Sequence, residues 1–371
     1  MKKIRTIIEG LYEYAKRILK KALPGSVIKA LKDFVKYCAY YPVVHYSLSG
    51  KTPLPRSVVI DVGNVCNLHC PLCPTGAGLS RYEKTLMPLA TFKAVLGKMP
   101  WVRHVSLFNW GEPFLNPDIF AIIRYARERA VEVNVHTNFS FKKGDDFFVD
   151  IVECGLNILT VSLDGASQET YEKYRVGGDF GLVIANIESL ERIKRQHRRK
   201  APVIVWKFIV NKFNEHEIPR AKEMAARLGV TLELANMGLG DDLPDVTFAC
   251  DIETRKKTWL PSQARYINKW YQGAHRYPLY NAPCDQLFNW IVIAPDGNVF
   301  PCCLASDKNN TFGNILKSSF KEIWNNETYA YSRSLFAGRK YCGSVKETIC
   351  THCRNFKKKH ARSYCCDKDM L

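Results

Sequence analysis

The stretch Ser57-Val-Val-Ile-Asp-Val62 runs through Gly63-Asn-Val65 into Cys66-Asn-Leu-His-Cys70-Pro-Leu-Cys73. Its first part is an apolar, β-branched run of strand length. Its second part sets three cysteines at C-x3-C-x2-C spacing in the segment that leaves that strand. Three thiolates are one short of the four that usually hold a [4Fe–4S] cluster. One iron would then keep an open position where a substrate or cofactor can coordinate. Two plainer readings stand beside this one. Zinc prefers four ligands, and His69 inside the motif offers a fourth at an unusual spacing. The cysteines could also be buried bystanders.

Composition limits the classes that remain. The chain has 371 residues, 46% hydrophobic and 12% aromatic, which allows a substantial core and argues against disorder. Its 14 cysteines come without a secretory signal pattern. In a chain this long they fit metal ligands in a reducing, cytoplasmic compartment better than a disulfide framework. No run of about eighteen apolar residues is present, so no membrane span is expected. Lys and Arg number 54 against 36 Asp and Glu, a net charge of +18 that suits anionic partners or a solvated basic surface.

Residues 1–50 read as a basic helical extension. Ile4, Ile7, Ile8, Leu11, Ala15, Ile18, Leu19 and Ala22 form a helical stripe, Lys and Arg fill the other face, and Pro24-Gly25 interrupts it before a second such helix. Helices of this kind pack on their own domain or make peripheral contact with a membrane surface, here its inner face. Residues 51–236 then alternate. Strands are expected at 57–62, 104–108, 131–137, 156–162, 203–210 and 231–235, with helical patterns near 91–98, 118–129, 146–154, 180–196 and 215–228. Such alternation implies a parallel sheet flanked by helices, two units short of a complete eight-fold barrel. Residues 237–282 lose the pattern and read as a linker, 283–353 form a cysteine-rich module, and 354–371 a basic tail.

The cysteine loop after the first strand, together with the turns that end the later strands, resembles the radical S-adenosylmethionine (SAM) superfamily. That resemblance implies a partial (β/α)6 TIM-like barrel and a [4Fe–4S] cluster on Cys66, Cys70 and Cys73 whose open iron binds SAM. Asn109-Trp-Gly-Glu112-Pro113 is similar to the family's Gly-Gly-Glu-Pro motif, with Trp110 replacing one glycine. Glu112 and Pro113 would serve the SAM amino group, since an ammonium needs acceptors at a turn. His136-Thr-Asn138 resembles the Thr-Asn-Gly turn, with Phe139 where glycine is usual. Ser162-Leu-Asp164-Gly165 offers a hydroxyl and a carboxylate for the ribose or methionyl end. Arg175 would pair with the SAM carboxylate, for which its planar fork is suited. Helix capping and turn formation are the plainer roles for these residues.

In the C-terminal module, Cys284, Gly297 and Cys302, followed by Cys350-Thr-His-Cys353, suit zinc or a cluster by spacing alone. They resemble the opening half of the SPASM extension of radical SAM enzymes. The expected continuation fails at Lys359, so the shortened, single-cluster form sometimes called twitch is implied: a second, auxiliary [4Fe–4S] cluster on Cys284, Cys302, Cys350 and Cys353. Cys303 is a rival to Cys302, and Cys342, Cys365 and Cys366 are further rivals.

The resemblance implies reductive cleavage of SAM to a 5′-deoxyadenosyl radical, with an electron donor such as flavodoxin or ferredoxin. The main expectation is hydrogen abstraction from a small polar substrate, a sugar, aminocyclitol or envelope glycan precursor. The outcome would be oxidation, or epimerisation if a thiol such as Cys250 returns a hydrogen. The alternative is a maturase that modifies a ribosomal peptide, although residues 1–50 lack the strands of the leader-binding domain such enzymes often carry. A basic zinc protein binding RNA or membrane is a third reading, prompted by residues 192–200 and 354–360. No nucleic-acid motif is present, so nucleic acid is not expected as a partner.

Overall fold

The computed structural model describes Tyr46 and residues 49–80, 82–240, 243, 246–272, 284, 286–305, 307–337, 341–345 and 347–353. The two N-terminal amphipathic helices and the basic tail with Cys365 and Cys366 lie outside these residues. The chain divides into two compact units, Met1–Pro53 and Leu54–Leu371, and the architecture below is that of the second.

Six strands alternate with helices: β1 Ser57–Ile60, β2 His104–Leu107, β3 Glu132–Thr137, β4 Ile158–Ser162, β5 Val203–Val210 and β6 Thr231–Asn236. Between them run α1 Leu89–Gly97, α2 Ile119–Glu128, α3 Asp145–Glu153, α4 Gln168–Tyr174, α5 Phe180–Gln196 and α6 Ile218–Leu228. Local chemistry sets several of these boundaries. The Asp179 carboxylate accepts from Leu182 N to start α5, and Gly229 at φ 74° closes α6 in the left-handed conformation glycine tolerates. Ser167 caps the short α4 by accepting from Thr170 N.

The strands form one sheet in the order β6-β5-β4-β3-β2-β1-β7-β8, parallel except for β8. The added strands, β7 Val292–Ile293 and β8 Val299–Phe300, come from the cysteine-rich module; β7 pairs with β1, Val59 opposite Val292. Among the described residues the sheet does not close on itself, and β6 and β8 are its ends. This is the partial barrel expected from the alternation, lengthened on the β1 side by a hairpin that the strand pattern did not reveal. Gly297 turns that hairpin at φ 83°, and a Cβ there would lie 2.6 Å from Leu316 Cγ.

Alternation along each strand separates two faces. In β5, Ile204, Trp206, Phe208 and Val210 are buried, while Val205, Lys207 and Ile209 on the other side are only half-buried. In β3, Val133 and Val135 are buried and Asn134 and His136 are not. Register sets Ser162 beside Lys207 and His136 beside Thr160. A polar row of Asn134, His136, Ser162 and Lys207 therefore lines the face opposite the buried one.

The rest of the module comprises α8 Gln286–Asn289, α9 Phe320–Trp324 and α10 Glu327–Ala337. It is tied to the barrel beyond the β1–β7 pairing. Lys98 Nζ donates to the Ile315, Leu316 and Ser318 carbonyls at 2.6–3.1 Å, and Trp101 packs edge-on to Phe320 at 5.2 Å. The segment after β6 does more than connect. Met237, Leu239 and Trp259, the last in α7 (Ile252–Trp259), form one apolar cluster with Leu68, Cys70, Leu72 and Tyr174, and so cover the cysteine loop. Among the described residues no helix is long and apolar enough to cross a membrane.

Candidate functional site

Cys66, Cys70 and Cys73 lie in the loop leaving β1. Cys70 is buried and the other two are partly so. The loop turns tightly, with Cys73 N donating to Cys70 O at 3.2 Å and Ala77 N to Cys73 O at 2.8 Å. Burial pushes the Cys66 thiol up to about 11, and Glu112, Cys70 and Cys73 nearby add to the rise. Burial also raises Cys70, opposed by Arg175. The Cys66 and Cys70 thiols are thus held neutral unless a cation arrives, which is the setting in which iron ligation releases protons. His69 is exposed, and its backbone N donates to Val176 O at 2.9 Å.

The loops after β2 and β3 close on this one. Gly111 approaches so near that a Cβ would lie 1.9 Å from Gly63 O, and Glu112 N donates to Val65 O at 2.8 Å. The Glu112 carboxylate, 1% exposed, faces inward. It accepts from Phe114 N at 3.1 Å, Thr137 Oγ1 at 2.8 Å and Asn138 N at 2.7 Å. Burial nevertheless raises its pKa to about 7. Pro113 begins the single 3-10 turn Pro113–Leu115 that comes next. Asn138 Nδ2 donates to Asn67 Oδ1 at 2.9 Å and reaches Cys66 Sγ at 3.7 Å.

At the end of β4, Asp164 is wholly buried. Its Oδ2 meets Arg175 Nε at 2.6 Å and its Oδ1 accepts from Ile209 N at 2.6 Å. Arg175 continues to Cys70 Sγ at 3.7 Å. Burial opposes the Arg175 charge, yet Asp164 and Cys70 hold its pKa above the ordinary range. Ser162 lies on the polar row, where the ring of His136 stacks on Phe108 at 4.0 Å. Burial, then Lys207, lowers His136 to about 4, so the ring is neutral near pH 7.

The structure thus brings Glu112, Asn138, Asp164 and Arg175 around the cysteine loop. Cys250 stands exposed just before the Asp251 N-cap of α7, and no described contact joins it to that loop. Residue typing missed Asn134, Lys207 and His136; the polar positions inside otherwise apolar strands were the available signal. It also missed Asp61, 4% exposed, which accepts from Gly63 N at 3.2 Å and Trp110 N at 3.3 Å. Asp61 and Trp110 line a cavity of about 20 Å³, room for one water, against Val292 and Phe300.

In the module, Cys284, Cys302, Cys303, Cys350 and Cys353 also lie near enough to act on one another. Burial raises Cys302 well above its usual value, with Cys303, Cys350 and Cys284 acting in the same direction. Burial likewise raises Cys350, with Cys284 and Cys353 adding to it and hydrogen bonds from Ser332 and Thr348 opposing. Cys302 and Cys303 are both half-buried, and Cys303 Sγ lies 4.0 Å from Gln286 Oε1. Cys342 is held in a disulfide. Among the described residues no three Cys, His, Asp or Glu side chains are gathered tightly enough for a single metal ion. A cluster spreads its thiolates over several irons and does not need that convergence. Cysteine sets that are buried or half-buried and act on one another's charge fit such a group.

Residues 60–223 match the Radical SAM superfamily, and residues 284–354 match SPASM, an iron–sulfur cluster-binding domain. The chain belongs to the radical SAM superfamily. It is a radical SAM enzyme with a C-terminal SPASM domain. The first domain implies a [4Fe–4S] cluster with SAM, and the second implies auxiliary iron–sulfur binding. Over 358 residues the chain is 26% identical to the AdoMet-dependent heme synthase of Methanosarcina barkeri, covering 86% of this chain and 95% of that one. It is 25% identical to the PqqA peptide cyclase of Gluconobacter oxydans, over 73% of this chain and 76% of that protein. In fold it is similar to Streptococcus suis SuiB bound to its precursor peptide SuiA, with a TM-score of 0.58 at 14% identity, over 94% of this chain and 82% of that one.

Proposed function

We propose that this chain modifies a peptide by radical SAM chemistry. Cys66, Cys70 and Cys73 would hold the SAM-binding cluster, and Cys284, Cys302, Cys350 and Cys353 the auxiliary one. When bound, the first cluster supplies the electron that cleaves SAM to a 5′-deoxyadenosyl radical. Around it the chain's own residues have distinct tasks. Glu112 fixes the loops after β2 and β3 to each other, leaving the backbone near Pro113 to receive the SAM ammonium. Asp164 aims Arg175, whose fork would meet the SAM carboxylate, and Ser162 would offer its hydroxyl from the end of β4. Asn138 holds the cysteine loop. The apolar cover from Met237, Leu239 and Trp259 keeps water from the cysteines.

The observation that carries the peptide reading is the open side of the barrel. β6 ends the sheet, its residues are exposed or only half-buried, and Leu234 is 36% exposed. Among the described residues no backbone group pairs with its outer edge. An extended peptide can add to such an edge and lay side chains toward the polar row of Asn134, His136, Ser162 and Lys207. The names of the peptide cyclase and of the SuiB–SuiA complex support the same class. The expectation of a sugar-like substrate, with Cys250 as hydrogen donor, has less support, since Cys250 is exposed and no described contact joins it to the cysteine loop. Co-expression with short peptides encoded beside its gene, followed by mass spectrometry, tests the proposal. The expected result is a peptide lighter by a hydrogen pair or a carboxyl group, lost in the Cys66/Cys70/Cys73→Ala variant. Turnover of a sugar or a porphyrin with every peptide unchanged would contradict it.

A further inference from the structure

One face of α10 is turned to the auxiliary cysteines. Tyr329, Ser332 and Arg333 stand at i, i+3 and i+4, on one side of the helix, and are 0%, 0% and 1% exposed. α10 packs against α8, just after Cys284, and against the turn Ile349–Thr351, which carries Cys350. The Ser332 hydroxyl hydrogen-bonds the Cys350 sulfur and lies 2.9 Å from Thr348 Oγ1. The Tyr329 ring is fixed against Phe312 at 4.8 Å and Trp324 at 5.0 Å. Its buried phenol oxygen has no hydrogen-bond partner among the described residues, and the charges acting on it are Arg333, Cys350 and Cys302. The Arg333 guanidinium lies over Trp324 at 4.0 Å and Tyr329 at 4.6 Å, and its Nε donates to Leu287 O at 2.9 Å.

A hydroxyl this deeply enclosed normally has an acceptor. Sulfur atoms held by the neighbouring cysteines would supply one. We propose that this face of α10 raises the reduction potential of the auxiliary cluster, with the Tyr329 O–H donating to one of its sulfurs and the Ser332 hydroxyl and Arg333 charge acting on the same group. Reduction adds a negative charge to the cluster, and donors and a buried cation favour that state over the oxidised one. The three are positioning residues, not ligands. The inference rests on the reading that Cys284, Cys302, Cys350 and Cys353 hold a [4Fe–4S] cluster.

The test uses the reconstituted full-length chain with Cys66, Cys70 and Cys73 changed to Ala, so that the auxiliary cluster alone contributes signal. Its midpoint potential is read by dye-equilibrated titration with electron paramagnetic resonance. Tyr329→Phe keeps the packed ring and removes only the O–H. At equal iron content its midpoint should move to more negative potential, and Ser332→Ala should move it in the same direction. An unchanged midpoint in both variants overturns the proposal. No iron in the parent background would instead defeat the cluster reading itself, and the iron count reports that before any potential is measured. If Tyr329→Phe loses iron, Ser332→Ala decides by the same two outcomes.

Discussion

Phe139 sits at φ 55°, where the related turn carries glycine, and is fully buried among Phe114, Phe141 and Phe148. The left-handed backbone costs about 1–2 kcal/mol, less than the roughly 3–5 kcal/mol that a buried phenylalanine contributes. Phe139→Gly should therefore lose about 2–3 kcal/mol in denaturant unfolding despite its easier backbone. Asp61 makes a pH-dependent prediction. Burial raises its pKa from 3.8 to about 7, so the folded state favours the protonated form. The stability this gives is complete below about pH 4 and is lost as pH rises through 7, up to about 4 kcal/mol for a shift of this size. Asp61→Asn should flatten the fall in melting temperature between pH 5 and pH 8; an identical fall would show that another group is responsible. Gly111→Ala should displace the cysteine loop, because its Cβ would overlap Gly63 O. Iron at the first site should then fall to background while the auxiliary site stays loaded.

At the scale of elements, the six barrel strands were legible because apolar, β-branched runs alternate with helical stripes. Observed strand ends lie within about two residues of the expected ones, as usual for fraying termini. The 3-10 turn Glu215–Glu217 before α6 accounts for one helix that begins later than its pattern. β7 and β8 were not legible, since two-residue strands have no period to read. Nor was the cover that Met237, Leu239 and Trp259 lay over the cysteine loop. Its apolar residues are scattered, and only the tertiary fold gathers them. The ion pair of Asp164 with Arg175 was not legible, since it depends on how α4 returns to β4. β6 yields the element's own prediction. Leu234→Arg changes an exposed side chain and should alter stability by less than about 0.5 kcal/mol. It should weaken peptide modification on the order of tenfold, about 1.4 kcal/mol of binding, while deoxyadenosine formation from SAM alone persists. Equal loss of both activities would show that β6 serves the SAM site and not a peptide.

For the whole molecule, the barrel and the cysteine-rich module share one sheet through β1 and β7, so the two cysteine sets belong to a continuous structure. The first set stands out in the sequence as a compact C-x3-C-x2-C motif, although spacing left zinc open beside a cluster until the later strand-end turns were read with it. The second needed Cys284 to be matched with partners 66 residues or more away at Cys350 and Cys353, a pairing that spacing leaves open between zinc and iron. The substrate was the least legible, because the lumen residues that would meet it are single polar positions within strands. The most direct measurement is anaerobic reconstitution of the full-length chain and of its Cys66/Cys70/Cys73→Ala variant, with iron, sulfide and 5′-deoxyadenosine assayed together. About eight irons in the parent, about four in the variant, and deoxyadenosine from the parent only are expected for two [4Fe–4S] sites of which one binds SAM. Zinc without iron at both sites, or equal deoxyadenosine from parent and variant, would contradict it.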